Sequence, residues 1–151
     1  MKALIFLAVA LAPFALAPAP AFAADRLILV TAEEAALPPV PTGELARRGV
    51  TRGPKVSLLS PASVTGQTSP LHLQFKFESF GGAKIDPNDV KIVYLKKPAV
   101  DLSERVKPFT QGTGIDIRQA EMPPGNHTFR IDMKDSDGRA STALFTLNVV
   151  P

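Results

Sequence analysis

The sequence predicts an all-β protein, an antiparallel sandwich of two sheets, and three observations carry that prediction. From Val56 to Val149 apolar and polar side chains alternate in recurring short runs, the period that sets one face of a strand against a dry core and the other in water. Of the 15 prolines, Pro13, Pro18 and Pro20 precede residue 24, and the rest, like all 10 glycines, fall between or at the ends of these runs. A proline inside a central strand would delete a ladder hydrogen bond, so this placement is the one a sheet requires. Within the alternating region only Asp101 to Val106 carries a helix signal. Two stacked sheets bury many alternating faces without any long helix.

The chain opens with Lys2, an apolar run from Ala3 to Leu16 interrupted at Pro13, and a small-residue stretch ending in Ala21-Phe22-Ala23. This is the pattern of a secretory signal peptide over residues 1–23, with cleavage before Ala24, because the run falls short of the ~20 residues that span a bilayer. Pro18 and Pro20 would break a longer helix. The expectation is a periplasmic or secreted chain with no transmembrane segment once the signal is removed. There is no cysteine, which excludes a lipid-anchored lipoprotein and any disulfide, so a packed core must supply the stability. Removing Lys2 with the signal leaves 16 of the 17 basic residues against 14 acidic ones, a formal charge of +2. That near balance does not make the phosphate-binding surface of a nucleic-acid protein, and no nucleic-acid partner is expected.

Residues 24–54 are rich in Ala, Pro, Gly and Arg and read as a linker or arm, with a domain boundary near Pro54 and the sandwich spanning 55–151. Within the arm Leu27-Ile28-Leu29-Val30 is β-prone, Glu33 to Leu37 fits one helical turn, and Pro38, Pro39 and Pro41 halt regular structure. Two readings of Leu27–Val30 stay open, a partly disordered tether and an added edge strand. Arg47, Arg48 and Arg52 read as a charged linker.

In the sandwich itself, Leu71, Leu73, Phe75 and Phe77 are expected to face the core, with His72, Gln74, Lys76 and Glu78 outside. Phe129, Ile131 and Met133 likewise face inward between Thr128, Arg130, Asp132 and Lys134, and Ala143, Phe145, Leu147 and Val149 match them. Asp135-Ser136-Asp137-Gly138 joins the last two strands as a hairpin, since Gly138 can take a positive φ and the acidic residues suit a tight turn. Val90 to Leu95, preceded by the turn Asp86-Pro87-Asn88-Asp89, is nearly continuously apolar and predicts a central strand. Asp101 to Val106 predicts one or two helical turns, Asp101 capping and Glu104 reaching back, ended by Pro108. A weaker strand is expected at Ile115–Ile117, making six or seven in all, close to the roughly seven of a small sandwich.

Ser60-Pro61, Val64, Ile85-Asp86-Pro87, Val90, Met122-Pro123-Pro124-Gly125-Asn126-His127-Thr128-Phe129-Arg130-Ile131 and Asp135-Ser136-Asp137-Gly138 together resemble bacterial immunoglobulin-like domains over roughly residues 55–150. The resemblance implies an immunoglobulin-like sandwich used for spacing, adhesion or partner contact, not catalysis. The final hairpin is also similar to that of periplasmic copper-resistance sandwiches, in which a copper-ligating histidine follows Asp-Gly. Here that position is Arg139, and the chain after cleavage begins Ala24-Asp25-Arg26 without the family's histidine. No metal or other cofactor is therefore expected. His72 is expected on an exposed face, His127 solvated beside a turn, and Met133 in the core.

Catalytic constellations are weak. Asp86 with Asp89 and Asp132 with Asp135 are pairs of acids placed in turns or on an outward face, where carboxylates are hydrated. The Asp135–Gly138 turn lacks calcium-loop spacing, because Met133 and Leu144 would occupy the first and twelfth loop positions. The least ordinary feature is basic: Lys96, Lys97, Arg105 and Lys107 cluster around one inter-strand loop, with Asp101 and Glu104 nearby. These four are the candidate partner-binding residues, suited to an envelope protein or an anionic envelope polymer. The leading expectation is an exported binding or scaffolding module, and the alternative is a periplasmic carrier of a small ligand or a copper-type metal.

Overall fold

A computed structural model describes residues 26–41 and 53–151. The expected signal peptide over residues 1–23, the expected cleavage before Ala24, and Arg47, Arg48 and Arg52 lie outside the described residues. The described residues form an all-β sandwich of two five-stranded sheets. In chain order the elements are β1 (Arg26–Ile28), α1 (Ala32–Ala36), β2 (Lys55–Ser60), β3 (Gln67–Thr68), β4 (Leu71–Glu78), β5 (Lys91–Tyr94), β6 (Val100–Asp101), α2 (Ser103–Val106), β7 (Thr110–Gln111), β8 (Gly114–Glu121), β9 (Gly125–Lys134) and β10 (Ala140–Val150). One sheet runs β1-β8-β4-β2, with β7 also on β8, and the other runs β3-β10-β9-β5-β6. Pairing is antiparallel except for two short edge ladders, β1 with β8 and β3 with β10, which are parallel. No helix among the described residues is long and apolar enough to cross a membrane.

The period-two rows lie where the alternation places them. Leu71, Leu73, Phe75 and Phe77 of β4 are all buried, facing Ile92, Tyr94, Phe129, Ile131 and Leu147 across the interior in one apolar cluster. Phe75 and Phe145 meet with ring centroids 4.8 Å apart, a tilted pair of the kind aromatic quadrupoles favour. The last hairpin closes over Asp135–Gly138, with Gly138 at φ 79°, and its strands pair without interruption from Ala140 opposite Lys134 to Val149 opposite Gly125.

Two strands differ from expectation for physical reasons. The segment expected as a weak strand at Ile115–Ile117 is the eight-residue β8. Leu73 faces Ile117 while Leu71 faces Ala120, so a bulge intervenes and the buried set passes from Ile115 and Ile117 to Ala120 and Met122. That change of phase hides the strand from a search for strict alternation. The last hairpin also starts earlier than Thr128: β9 begins at Gly125, which carries His127 onto its inward face.

The leading segment is part of the sandwich. Of the two readings, the described residues show the edge strand, Arg26–Ile28 lying parallel to Gln119–Glu121. Leu29 and Val30, each 2% exposed, belong to the same apolar cluster as the central strands. The helical turn follows with a complete capping box: the Thr31 hydroxyl accepts from Glu34 N, and the Glu34 carboxylate accepts from Thr31 N. The box expected at Asp101 and Glu104 does not form. Asp101 instead accepts from Ser103 N while lying in β6, and α2 starts without a side-chain cap.

Candidate functional site

Lys96 lies two residues past the end of β5, and only 9% of it is exposed. Its ammonium lies 5.4 Å from the centre of the Tyr94 ring and donates to the Ala35 carbonyl of α1 at 2.8 Å. Arg105, on α2, turns toward the same segment. Its two terminal nitrogens reach Glu34 Oε2 at 2.8 Å and Oε1 at 2.6 Å, and one of them also donates to the Leu29 carbonyl at 3.2 Å. Such a two-pronged guanidinium–carboxylate contact is the strong form of an ion pair. The Arg105 hydrogen bond holds the Glu34 carboxyl at about 2, well below its usual 4.5, with the Thr31 amide adding to it against the cost of burial.

Lys97 and Lys107 are exposed. The Lys97 amide donates to Pro38 O at 2.8 Å, and Lys107 borders a surface cleft of about 180 Å³ shared with Lys91, Asp101, Ser103 and Glu104. The four expected cations therefore do not form one exposed patch. Lys96 and Arg105 are brought together as clamps on residues 29–35, Arg105 half-buried, and Lys97 and Lys107 are the two that are fully on the surface.

Beneath this clamp lies a group expected in water. His127 is 1% exposed. Its Nε2 is 2.7 Å from the Pro123 carbonyl and its Nδ1 is 2.9 Å from the Tyr94 hydroxyl. A carbonyl only accepts, so the proton sits on Nε2, and Nδ1 accepts from the Tyr94 O–H. Burial lowers the His127 pKa, aided by the Lys96 charge and opposed by the bond to Pro123 O. Burial, with the Glu34 charge adding, pushes Tyr94 up to about 12. Both groups are thus neutral near pH 7, sealed from solvent and mutually satisfied, which is the condition of a polar brace rather than of an acid or base waiting for substrate. The signal in the sequence is the period itself, since His127 has the same parity as Phe129, Ile131 and Met133.

Arg139, just past the hairpin turn, forms a second brace. Arg139 Nε donates to Asp135 Oδ2 at 2.9 Å, and one of its terminal nitrogens donates to Asp137 Oδ2 and Phe80 O, each at 2.8 Å. Asp135 also accepts from the Asp137 and Arg139 amides. Burial works against the Asp135 carboxylate, but the Arg139 amide and guanidinium outweigh it and hold its pKa below the ordinary range. His72 is exposed as expected, with Nε2 2.7 Å from Asp116 Oδ1 on the outer face of the first sheet.

Fold and contacts together define an all-β sandwich whose buried charges and polar groups tie its own N-terminal segment and hairpin in place. No family model, curated protein or solved structure matches this chain.

Acid should expose the Glu34 clamp. Because the folded pKa of about 2 lies below 4.5, the clamp's contribution is complete above pH 4.5 and is lost as pH falls from there toward 2. In urea denaturation, Arg105→Ala is expected to cost about 2 kcal/mol at pH 7, and the difference from wild type should shrink at pH 3. An equal deficit at both values would show that Arg105 acts by packing alone.

Proposed function

We propose that this chain is an exported, non-catalytic immunoglobulin-like module that binds or scaffolds within the bacterial cell envelope. The observation that carries the reading is the filled interior. Between the sheets, Leu29, Leu73, Phe75, Ile92, Val106, Ile115, Ile117, Phe129 and Ile131 leave only about 10 Å³, at the lower limit for one water and far below the roughly 300 Å³ at which ligand pockets begin. Whatever the domain engages meets its outer surface. Export rests on the signal-peptide pattern of residues 1–23.

Lys97 and Lys107, the two cations of the original cluster that face solvent, are the contact residues offered to an envelope protein or anionic polymer. Crosslinking in the native envelope, with recovery of partners, tests this. The double variant Lys97→Glu, Lys107→Glu is expected to lose partners that wild type retains. An unchanged set of partners would remove these lysines from the contact, and recovery of no partner would remove the binding reading.

The carrier reading retains only the surface, where an open depression is bordered by Lys84, Ile85, Asp86, Pro87, Asp89 and Ser136. It requires a rise in melting temperature with copper(II) or a small ligand, by mass action on the folded state. A scaffold requires none.

A further inference from the structure

We propose that two copies of this chain associate through the outer edge of β10, antiparallel and related by a two-fold axis at Leu144. Among the described residues the edge is open over its middle, between Ala140 and Asn148. β9 pairs with one side of β10 from Ala140 to Val149, whereas on the other side β3 reaches only Val149 and Val150. Asn148 N, next to that short ladder, donates to Val64 O at 2.7 Å, which shows that its N–H points away from β9. At the opposite end the Ala140 carbonyl lies against Gly53, again on the outer side. The β9–β10 register runs without a shift, so strand alternation sends the N–H and C=O groups of Thr142, Leu144 and Thr146 outward as well. Among the described residues no strand pairs with them.

Natural sheets protect such edges with charge, proline, bulges or shortness. β1 carries Arg26, β2 carries Lys55, β3 has two residues, and β6 has two including Asp101. β10 has eleven residues, Ala-Ser-Thr-Ala-Leu-Phe-Thr-Leu-Asn-Val-Val, without a charge or a proline. Nothing along it repels a second copy, and its order suits one. Pairing about Leu144 sets Ala143 against Phe145 of the other copy, small against large on the inner face, and Thr142 against Thr146 on the outer face. Each facing pair among Thr142, Leu144 and Thr146 then exchanges two backbone hydrogen bonds, as antiparallel ladders do. Ala143, Leu144 and Phe145 are only half-buried in the single chain, and Val56 and Leu58 of β2 are half-buried too.

This inference is independent of the partner proposed above, because the lysines play no part in it. Sedimentation equilibrium of the purified, exported chain is expected to show a dimer whose fraction rises with concentration. Amide exchange at Thr142, Leu144 and Thr146 should slow in step. Leu144→Lys and Leu144→Glu should each be monomeric with an unchanged β-sheet circular dichroism spectrum, because the axis places like charges directly opposite, and an equimolar mixture of the two should recover the dimer. Ile28→Lys, on the exposed far edge of the other sheet, should dimerise like wild type. A wild type that is monomeric at every concentration, variants that remain dimeric, or a mixture that stays monomeric would overturn the proposal. So would slow exchange at the three amides that is independent of concentration, and this last measurement serves even if the charged variants fail to fold. A monomer that carries an extended segment of another protein on β10 would also overturn it.

Discussion

Leu29→Ala is expected to destabilise the chain by about 2–5 kcal/mol, the cost of truncating a fully enclosed leucine. Leu29 precedes the alternating region by more than two dozen positions, yet it is 2% exposed and lines the residual gap between the sheets with Phe75, Phe129 and Ile131. Its amide donates to Glu121 O at 3.0 Å and its carbonyl accepts from Arg105, so the backbone around the new cavity is pinned and cannot collapse to fill it. The upper half of the range follows from that rigidity. Urea unfolding followed by far-ultraviolet circular dichroism reads the change, with Glu33→Ala, an exposed position on the helical turn that follows, as reference. If the two variants lie within about 0.5 kcal/mol of each other, the range of ordinary surface substitutions, residues 26–41 contribute no core and the sandwich stands without them.

The sequence shows strands whose partners hold a strict period, and it hides features that depend on remote residues. β4 is legible because every second residue from Leu71 to Phe77 is apolar, and the β9–β10 hairpin because Gly138 marks its turn. β8 is partly legible: the bulge opposite Leu71 and Leu73 shifts its inward face from odd to even positions, so no single alternation spans it. The leading segment is obscured by Pro38, Pro39 and Pro41, which argue for a linker, although Thr31 followed by Glu34 is itself a helix-start signature. Lys96 and Arg105 could not be separated from Lys97 and Lys107 by sequence. What distinguishes Arg105 is Glu34, 71 positions away, and a cation's partner at that separation leaves no local trace. His127 differs again, since its burial follows from extending the inward row of β9 by two residues past Phe129.

Replacing His127 should have an effect of similar size, through a different mechanism. His127→Ala removes a side chain that is 1% exposed and leaves the Tyr94 hydroxyl and the Pro123 carbonyl without their partners. An unpaired buried polar group costs about 1–3 kcal/mol, so two of them together with the cavity predict a loss of about 3–5 kcal/mol. Tyr94→Phe separates the contributions. It keeps the ring against Phe129, 5.3 Å away between centroids, but strips the donor from His127 Nδ1, and about 1–3 kcal/mol is expected. The pH dependence gives a further signature. Burial lowers the folded pKa of His127 below 6.5, with Lys96 adding and Tyr94 and Pro123 the other polar groups upon it. The unfolded chain therefore binds a proton first as pH drops. The histidine's contribution is complete above pH 6.5 and declines as pH falls from there toward the depressed folded value. Wild type should lose stability between pH 6.5 and 5, where Glu34 does not yet titrate, and His127→Ala should show a flat profile over that interval. A wild-type profile equally flat there would mean that His127 protonates as readily in the folded chain as in the unfolded one, and the sealed, neutral tyrosine–histidine brace would have to be abandoned.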